Sequence, residues 1–401
     1  MKTNQYIVPI LAIITALESL SIDLYLPAFT HITQDLQTTM GNVQISVSLF
    51  LCGFATGQLL WGPLSDKYGR KPILLIGLVV FVLSSAAIPF ADYIELLWIL
   101  RFMQAFGGCA GIVMSRAVVA DLFSKEAAIK IFSTQSQISG IAPIIAPIMG
   151  SVLLNLWGWR SIFFFLALLG TLSIGTVLKW IPETHARSRN DKRTSKSSLK
   201  ENVVALSKNK SFLLFTLIGA MAYSALMIYI SSAPFVLITK AGLSETEFGL
   251  AFGFNSVALI FAAYITPKLY KFMPIKTLVK TATIALVLFC TASLLFSLAN
   301  ASVIITIATL FLSLIPLGIL FPITTALALE TIEDGKGTAA AVMGFSQLMI
   351  SFLLSAITGL VQNNEVWPIE VIRLGVSLFA VVLAMSGIRS RKFTPLASKT
   401  M

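Results

Sequence analysis

Glu18 and Asp23 interrupt a run that is otherwise apolar enough to cross a bilayer, T-A-L-E-S-L-S-I-D-L-Y-L-P. Arg101 interrupts another, L-R-F-M-Q-A-F-G-G, with Gln104 three residues on. An ionised side chain at the centre of a membrane helix costs about 2.5–3.5 kcal/mol, so each group is expected to face a protein interior or a wet cavity. A carboxylate in such a place can exchange a proton: desolvation disfavours its charge, a cation favours it, and a conformational change that alters either contact drives the transfer. Arginine keeps its charge throughout, which makes Arg101 an organiser of the site and leaves the proton to an acid. Asp23 lies about six or seven residues from one end of its span and Arg101 is similarly deep, so at 1.5 Å per residue both sit roughly 10 Å below one boundary. They are expected to be partners or members of one polar site; the bland alternative is a static ion pair. Glu18 lies deeper, about 140° around the helix from Asp23, and which of the two acids carries the proton stays open.

Other chemistry is hard to build from this sequence. His31 and His185 lie in separate loops, and Cys52, Cys109 and Cys290 in separate apolar runs. No nucleophile–base pair or metal-ligand spacing is visible, so an enzyme or a bound cofactor is not expected.

The elements that must hold these groups follow from composition. Of 401 residues 56% are apolar and 12% charged, and the mean hydropathy is +0.87. A soluble domain needs more charge on its surface. The apolar residues come instead in runs long enough for a hydrocarbon core of roughly 30 Å. Spans are predicted near 6–29, 43–61, 73–91, 94–115, 130–154 and 160–181, then near 211–236, 248–266, 276–298, 301–328, 337–361 and 367–388. The fold class is therefore an all-α membrane protein, with twelve transmembrane helices in two pseudo-symmetric six-helix bundles. The expected units are 1–182, a polar linker 183–210 with an amphipathic piece near Leu199 to Leu206, and 211–401.

With the N-terminus inside, all but four of the 29 Lys and Arg fall in cytoplasmic segments, the exceptions being Arg101, Arg160, Lys240 and Arg373. That bias predicts both termini in the cytoplasm. It also accounts for the net charge of +11 as an orientation signal, where nucleic-acid binding would gather the cations on one face.

Two further stretches have informative spacing. Gly62 to Pro72 reads G-P-L-S-D-K-Y-G-R-K-P, a charged turn between two spans. Gly62 and Gly69 are expected to permit tight backbone geometry, with Asp66, Arg70 and Lys71 bonding helix ends. S-G-I-A-P-I-I-A-P-I-M-G-S in the fifth span sets Ala142, Pro143, Ala146, Pro147 and Gly150 at three- and four-residue spacing. Small residues there admit a close neighbour and the prolines loosen the helix, as a hinge-like seam would require. For the second half only cavity-wall candidates emerge: Tyr223, Met227, Tyr229, Asn255 and Gln347, with Tyr25 from the first half. Such spacings serve ordinary packing as well.

Three stretches together resemble the major facilitator superfamily: the Gly62 to Pro72 loop, Arg101 with Gln104 and Gly107-Gly108, and Ala142-x-x-x-Ala146-Pro147-x-x-Gly150. The last is similar to the helix-5 antiporter motif, with Ala and Ser in place of several glycines. S-I-D-L-Y-L-P-A-F (Ser21 to Phe29) and S-R-A-V-V-A-D-L-F (Ser115 to Phe123) look most like the Bcr/CflA drug-resistance branch. The resemblance implies proton-driven export of small amphipathic drugs or metabolites from a bacterial cytoplasm, by a monomer in the inner membrane with the proton gradient as its energy source. It implies too that Asp66 and Arg70 join Asp121 in a cluster stabilising the outward-facing state. A dedicated exporter of one metabolite or siderophore is the alternative.

Overall fold

A computed structural model of the chain describes residues 4–184, 199–332 and 336–387. The predicted linker run from 185 to 198 and the basic C-terminal tail lie outside the described residues. The chain is helical almost throughout, because in hydrocarbon a helix satisfies every backbone group within its own segment.

In chain order the first half comprises α1 (Asn4–Asp23), α2 (Phe29–Asp35), α3 (Met40–Tyr68), α4 (Arg70–Ala87), α5 (Ile94–Leu122), α6 (Lys125–Trp157) and α7 (Arg160–Trp180). A short α8 (Leu199–Lys208) follows, matching the expected amphipathic piece. Then come α9 (Lys210–Pro234), α10 (Glu245–Phe272), α11 (Ile275–Leu298), α12 (Val303–Glu330), α13 (Lys336–Val361) and α14 (Trp367–Gly387). With α1 and α2 sharing one crossing, twelve helical stretches among the described residues are long and apolar enough to span a membrane.

Several helices outrun their apolar stretches. Lipid selects only the apolar part, whereas the helix continues until its end groups are satisfied. Thr39 accepts a hydrogen bond from Asn42 N and caps α3; Ser124 caps α6 through Ala127 N. Ser244 and Glu247 form a reciprocal capping box that starts α10 three residues before the predicted span. The same effect corrects the expected turn at Gly62 to Pro72. α3 runs on through Gly62 and Pro63 to Tyr68, so the turn is Gly69 alone, at φ 102°. Gly62 is helical, and a side chain added there would meet nothing. Its expected role in tight backbone geometry is not present.

Large apolar side chains such as Leu83, Phe90, Trp157, Tyr264 and Phe272 point outward, as lipid contact requires. Inside the first half, α3 and α4 pack on α5, α4 on α7 and α1 on α6. In the second, α9 packs on α12 and α14, α10 and α11 on α12, and α11 on α14. Two seams join the halves, α3 with α13 and α6 with α10.

Candidate functional site

A cavity of about 200 Å³ lies between the halves. α1 contributes Glu18, Ser19, Ile22 and Asp23, and α6 contributes Pro143. The opposite wall comes from α9 (Tyr223, Leu226, Met227, Tyr229, Ile230), from α10 (Phe252, Ser256, Leu259) and from Leu314 of α12. Of the predicted residues, Glu18, Asp23, Tyr223, Met227 and Tyr229 are thus on one wall or the other.

Asp23 is the last residue of α1. Beyond it the chain breaks into a short 3-10 turn at Leu26–Ala28, where Pro27 fixes the backbone. α6 crosses at the break: a Cβ added to Gly150 would run into the carbonyl of Leu24. Asp23 is 3% exposed while Glu18 is half-buried, and neither has a hydrogen-bond or ion-pair partner among the described residues.

The expected partnership of Asp23 with Arg101 is not made. The Arg101 guanidinium lies 4.3 Å from the ring centroid of Tyr25 and 4.5 Å from that of Phe50. It donates to Gln104 Oε1 at 2.5 Å, and Gln104 Nε2 donates to Ser85 Oγ at 2.8 Å. Tyr25 completes this nest with a 2.8 Å bond between its hydroxyl and Ser46. Equal depth was therefore the wrong criterion for pairing: Tyr25 stands against Arg101 while Asp23 lines the cavity. Arg101, Gln104 and Tyr25 form a buried cluster of the first half, off the cavity wall. Two guanidinium nitrogens of Arg101, Nε and Nη2, find no hydrogen-bond partner among the described residues.

A family model described as Major Facilitator Superfamily matches residues 11–359. The chain belongs to this superfamily. It is 30% identical over 359 residues to an uncharacterized MFS-type transporter, YdgK, of Bacillus subtilis, covering 89% of each chain. It is 29% identical over 397 residues to a bicyclomycin resistance protein homolog of Haemophilus influenzae, covering 95% of each. Among solved structures, a D-xylose-proton symporter superposes with a TM-score of 0.77 at 14% identity, over 94% of this chain and 96% of that one.

As a major facilitator transporter the chain is a multi-pass membrane protein. Gly69 and Arg70 stand where three strands of chain meet. Arg70 pairs with Asp66 at 2.9 Å and with Asp121 at 3.3 Å, and donates to Ser65 Oγ at 2.5 Å. Thr184 Oγ1 also donates to Asp121, at 2.9 Å. Glu183 accepts from the backbone N–H of Arg70 at 2.9 Å and of Lys71 at 3.2 Å, satisfying the exposed start of α4. Lys71 Nζ reaches the carbonyl of Leu178. Sequence reasoning passed over Ser65, Glu183 and Thr184, whose only signal was an acid and a hydroxyl following the sixth span.

The helix-5 motif lines the α6–α10 seam. A Cβ on Gly249 would sit 3.1 Å from the Pro147 carbonyl, and one on Gly253 3.0 Å from that of Ile144. Ala142 and Ala146 are buried. Asn255 is fully buried behind Tyr229 and donates to its hydroxyl at 3.2 Å. Gln347 packs against Gly219 of α9, away from the cavity. The sequence reading missed Ser19, Pro143, Phe252, Ser256 and Leu259 as wall residues, and also a buried pair in the last span, Glu370 with Arg373 at 3.3 Å. Among the described residues no group of His, Cys, Asp and Glu gathers as a metal would require.

Proposed function

We propose that this protein exports small amphipathic compounds in exchange for protons, by rocking its two halves about the central cavity. The observation that carries the reading is the pair of carboxylates, Glu18 and Asp23, without a hydrogen-bond or ion-pair partner among the described residues, on the α1 wall of a cavity that both halves line. A carboxylate there cannot hold a proton and pair with a cationic group of the cargo at once, so loading such cargo on one side releases a proton on that side. Carriage back across the membrane then requires a proton in its place. The alternation uses units 1–182 and 211–401, joined by the 183–210 linker on the cytoplasmic side, with both termini there, in a monomer of the bacterial inner membrane. Cargo is small and drug-like, in keeping with relatives named for bicyclomycin and chloramphenicol resistance. The test is drug accumulation in everted vesicles. Addition of a protonophore is expected to abolish it, and accumulation that continues undiminished rejects proton coupling.

A cavity of only about 200 Å³ favours a second reading, a dedicated exporter of one metabolite with drug efflux incidental. A deletion strain that accumulates one metabolite with an unchanged drug profile supports it.

A further inference from the structure

Tyr229 is where the second half meets the cavity with a hydroxyl that is held from behind. Its ring lines the cavity, is 3% exposed, and stacks on Phe252 with centroids 5.5 Å apart and planes 11° from parallel. From behind, Asn255 Nδ2 donates to its hydroxyl oxygen at 3.2 Å. The Arg373 guanidinium lies 5.9 Å from the ring centroid. That guanidinium is itself fixed by Glu370, at 3.3 Å, and by Ser313. Burying such a pair costs several kcal/mol per ion before their attraction offsets it, and helix packing alone does not call for one.

The arrangement leaves one capacity of Tyr229 unused. Its oxygen accepts from Asn255, while its own hydrogen has no acceptor among the described residues, and Asn255 Oδ1 on the same amide is likewise without a hydrogen-bond partner there. A cation beside the ring draws electron density from it and strengthens the O–H as a donor. The α1 wall is opposite in kind, since Glu18 and Asp23 are acceptors that carry negative charge. The rest of the lining includes apolar groups such as Ile22, Leu226 and Leu259.

We propose that Tyr229 is a specificity-determining residue, and that the cargo is a compact organic cation. A protonated amine at one end of an apolar body meets Glu18 and Asp23, and an acceptor oxygen at the other end takes the Tyr229 hydrogen. Asn255, Glu370 and Arg373 are positioning residues that act through Tyr229. The proposal rests on the export reading for its physiological sense, although the site itself can be measured without transport.

The test is equilibrium binding to the purified full-length protein with three probes. Procaine carries the amine and an ester carbonyl, N,N-diethyl-5-phenylpentylamine carries the amine alone, and benzocaine carries the ester without the tertiary amine. Wild type is expected to bind procaine tightest. Tyr229→Phe is expected to weaken procaine by about 2- to 13-fold, the worth of one hydrogen bond, and to leave the alkylamine unchanged, which also certifies the fold. Asn255→Ala is expected to cause the same selective loss, smaller in size. Equal weakening of all three probes by Tyr229→Phe makes Tyr229 mere packing and overturns the proposal, as does benzocaine binding to wild type as tightly as procaine. Vesicles separate this from the export reading. A procaine preference with no protonophore-sensitive movement overturns export alone, and movement with no preference overturns this site alone.

Discussion

Asp23 and Glu18 share a wall but not an environment. Asp23 is 3% exposed at the broken end of α1, whereas Glu18 is half-buried on its middle. The more enclosed acid depends more on the state of the protein, and the more open one is better placed to touch cargo. Asp23→Asn keeps the volume and removes the titration, so it is expected to insert normally and to lose substrate-dependent proton release from purified protein. Its binding of organic cations should also lose part of its pH dependence, the rest staying with Glu18: in wild type a protonated acid cannot pair with a cation, so binding weakens as pH falls. Undiminished proton release from this variant removes Asp23 from the mechanism. Glu18→Gln is expected to keep proton release and to bind organic cations about 10- to 150-fold more weakly, the range of a charged hydrogen bond. These two acids were legible in the sequence because charge is conspicuous in an apolar run. Pro143, Phe252, Ser256 and Leu259 were not, since their types are ordinary for a span and only the packing of α6 against α10 turns them toward the cavity.

Among the elements, the junction of α3 and α4 shows what a sequence motif conceals. The spacing of Asp66, Gly69, Arg70 and Lys71 announced a charged connection, and these side chains do meet there. The expectation of a long turn failed because an apolar pattern marks where lipid ends, while α3 stays helical to Tyr68 and turns on Gly69 alone. The same confusion of lipid boundary with helix boundary shortened the predicted fifth and eighth spans. The cluster of Asp66, Arg70, Asp121, Glu183 and Thr184 belongs wholly to the first six spans and the residues just after them. Its geometry suits a brace that keeps α3, α4 and α5 moving as one body. Arg70→Ala leaves Asp121 without its cation and is expected to cost about 1–3 kcal/mol, read as a lower melting temperature. Cargo affinity should be kept and turnover should slow, because the cavity lies elsewhere. A collapse of affinity at normal turnover would show that the loop acts on the site.

At the scale of the whole molecule, the hydrogen bonds that join the halves among the described residues lie chiefly toward the end away from the linker. His31 meets Glu245 at 3.1 Å and Asn155 meets Thr246 at 3.3 Å at that end. Deeper in, Gln44 donates to Ser231 at 3.1 Å, Ser231 lies 3.1 Å from Ser355, and Ser48 donates to Ser355 at 2.9 Å. Gly41 and Gly359 let the backbones of α3 and α13 touch at the mouth of this ladder. Each such bond contributes only about 0.5–1.5 kcal/mol, so together they can hold one state without making it permanent, as a transporter needs. If the cavity is to open at that end, Ser48 and Ser355 must part. Ser48→Cys with Ser355→Cys, in a background with Cys52, Cys109 and Cys290 replaced, is expected to oxidise to a disulfide and drop transport to the level of empty vesicles. Reductant should restore it, and cargo should still bind to the oxidised protein from the linker side. Full turnover by the cross-linked protein would mean that this ladder never opens, and that the halves do not rock about the cavity as proposed.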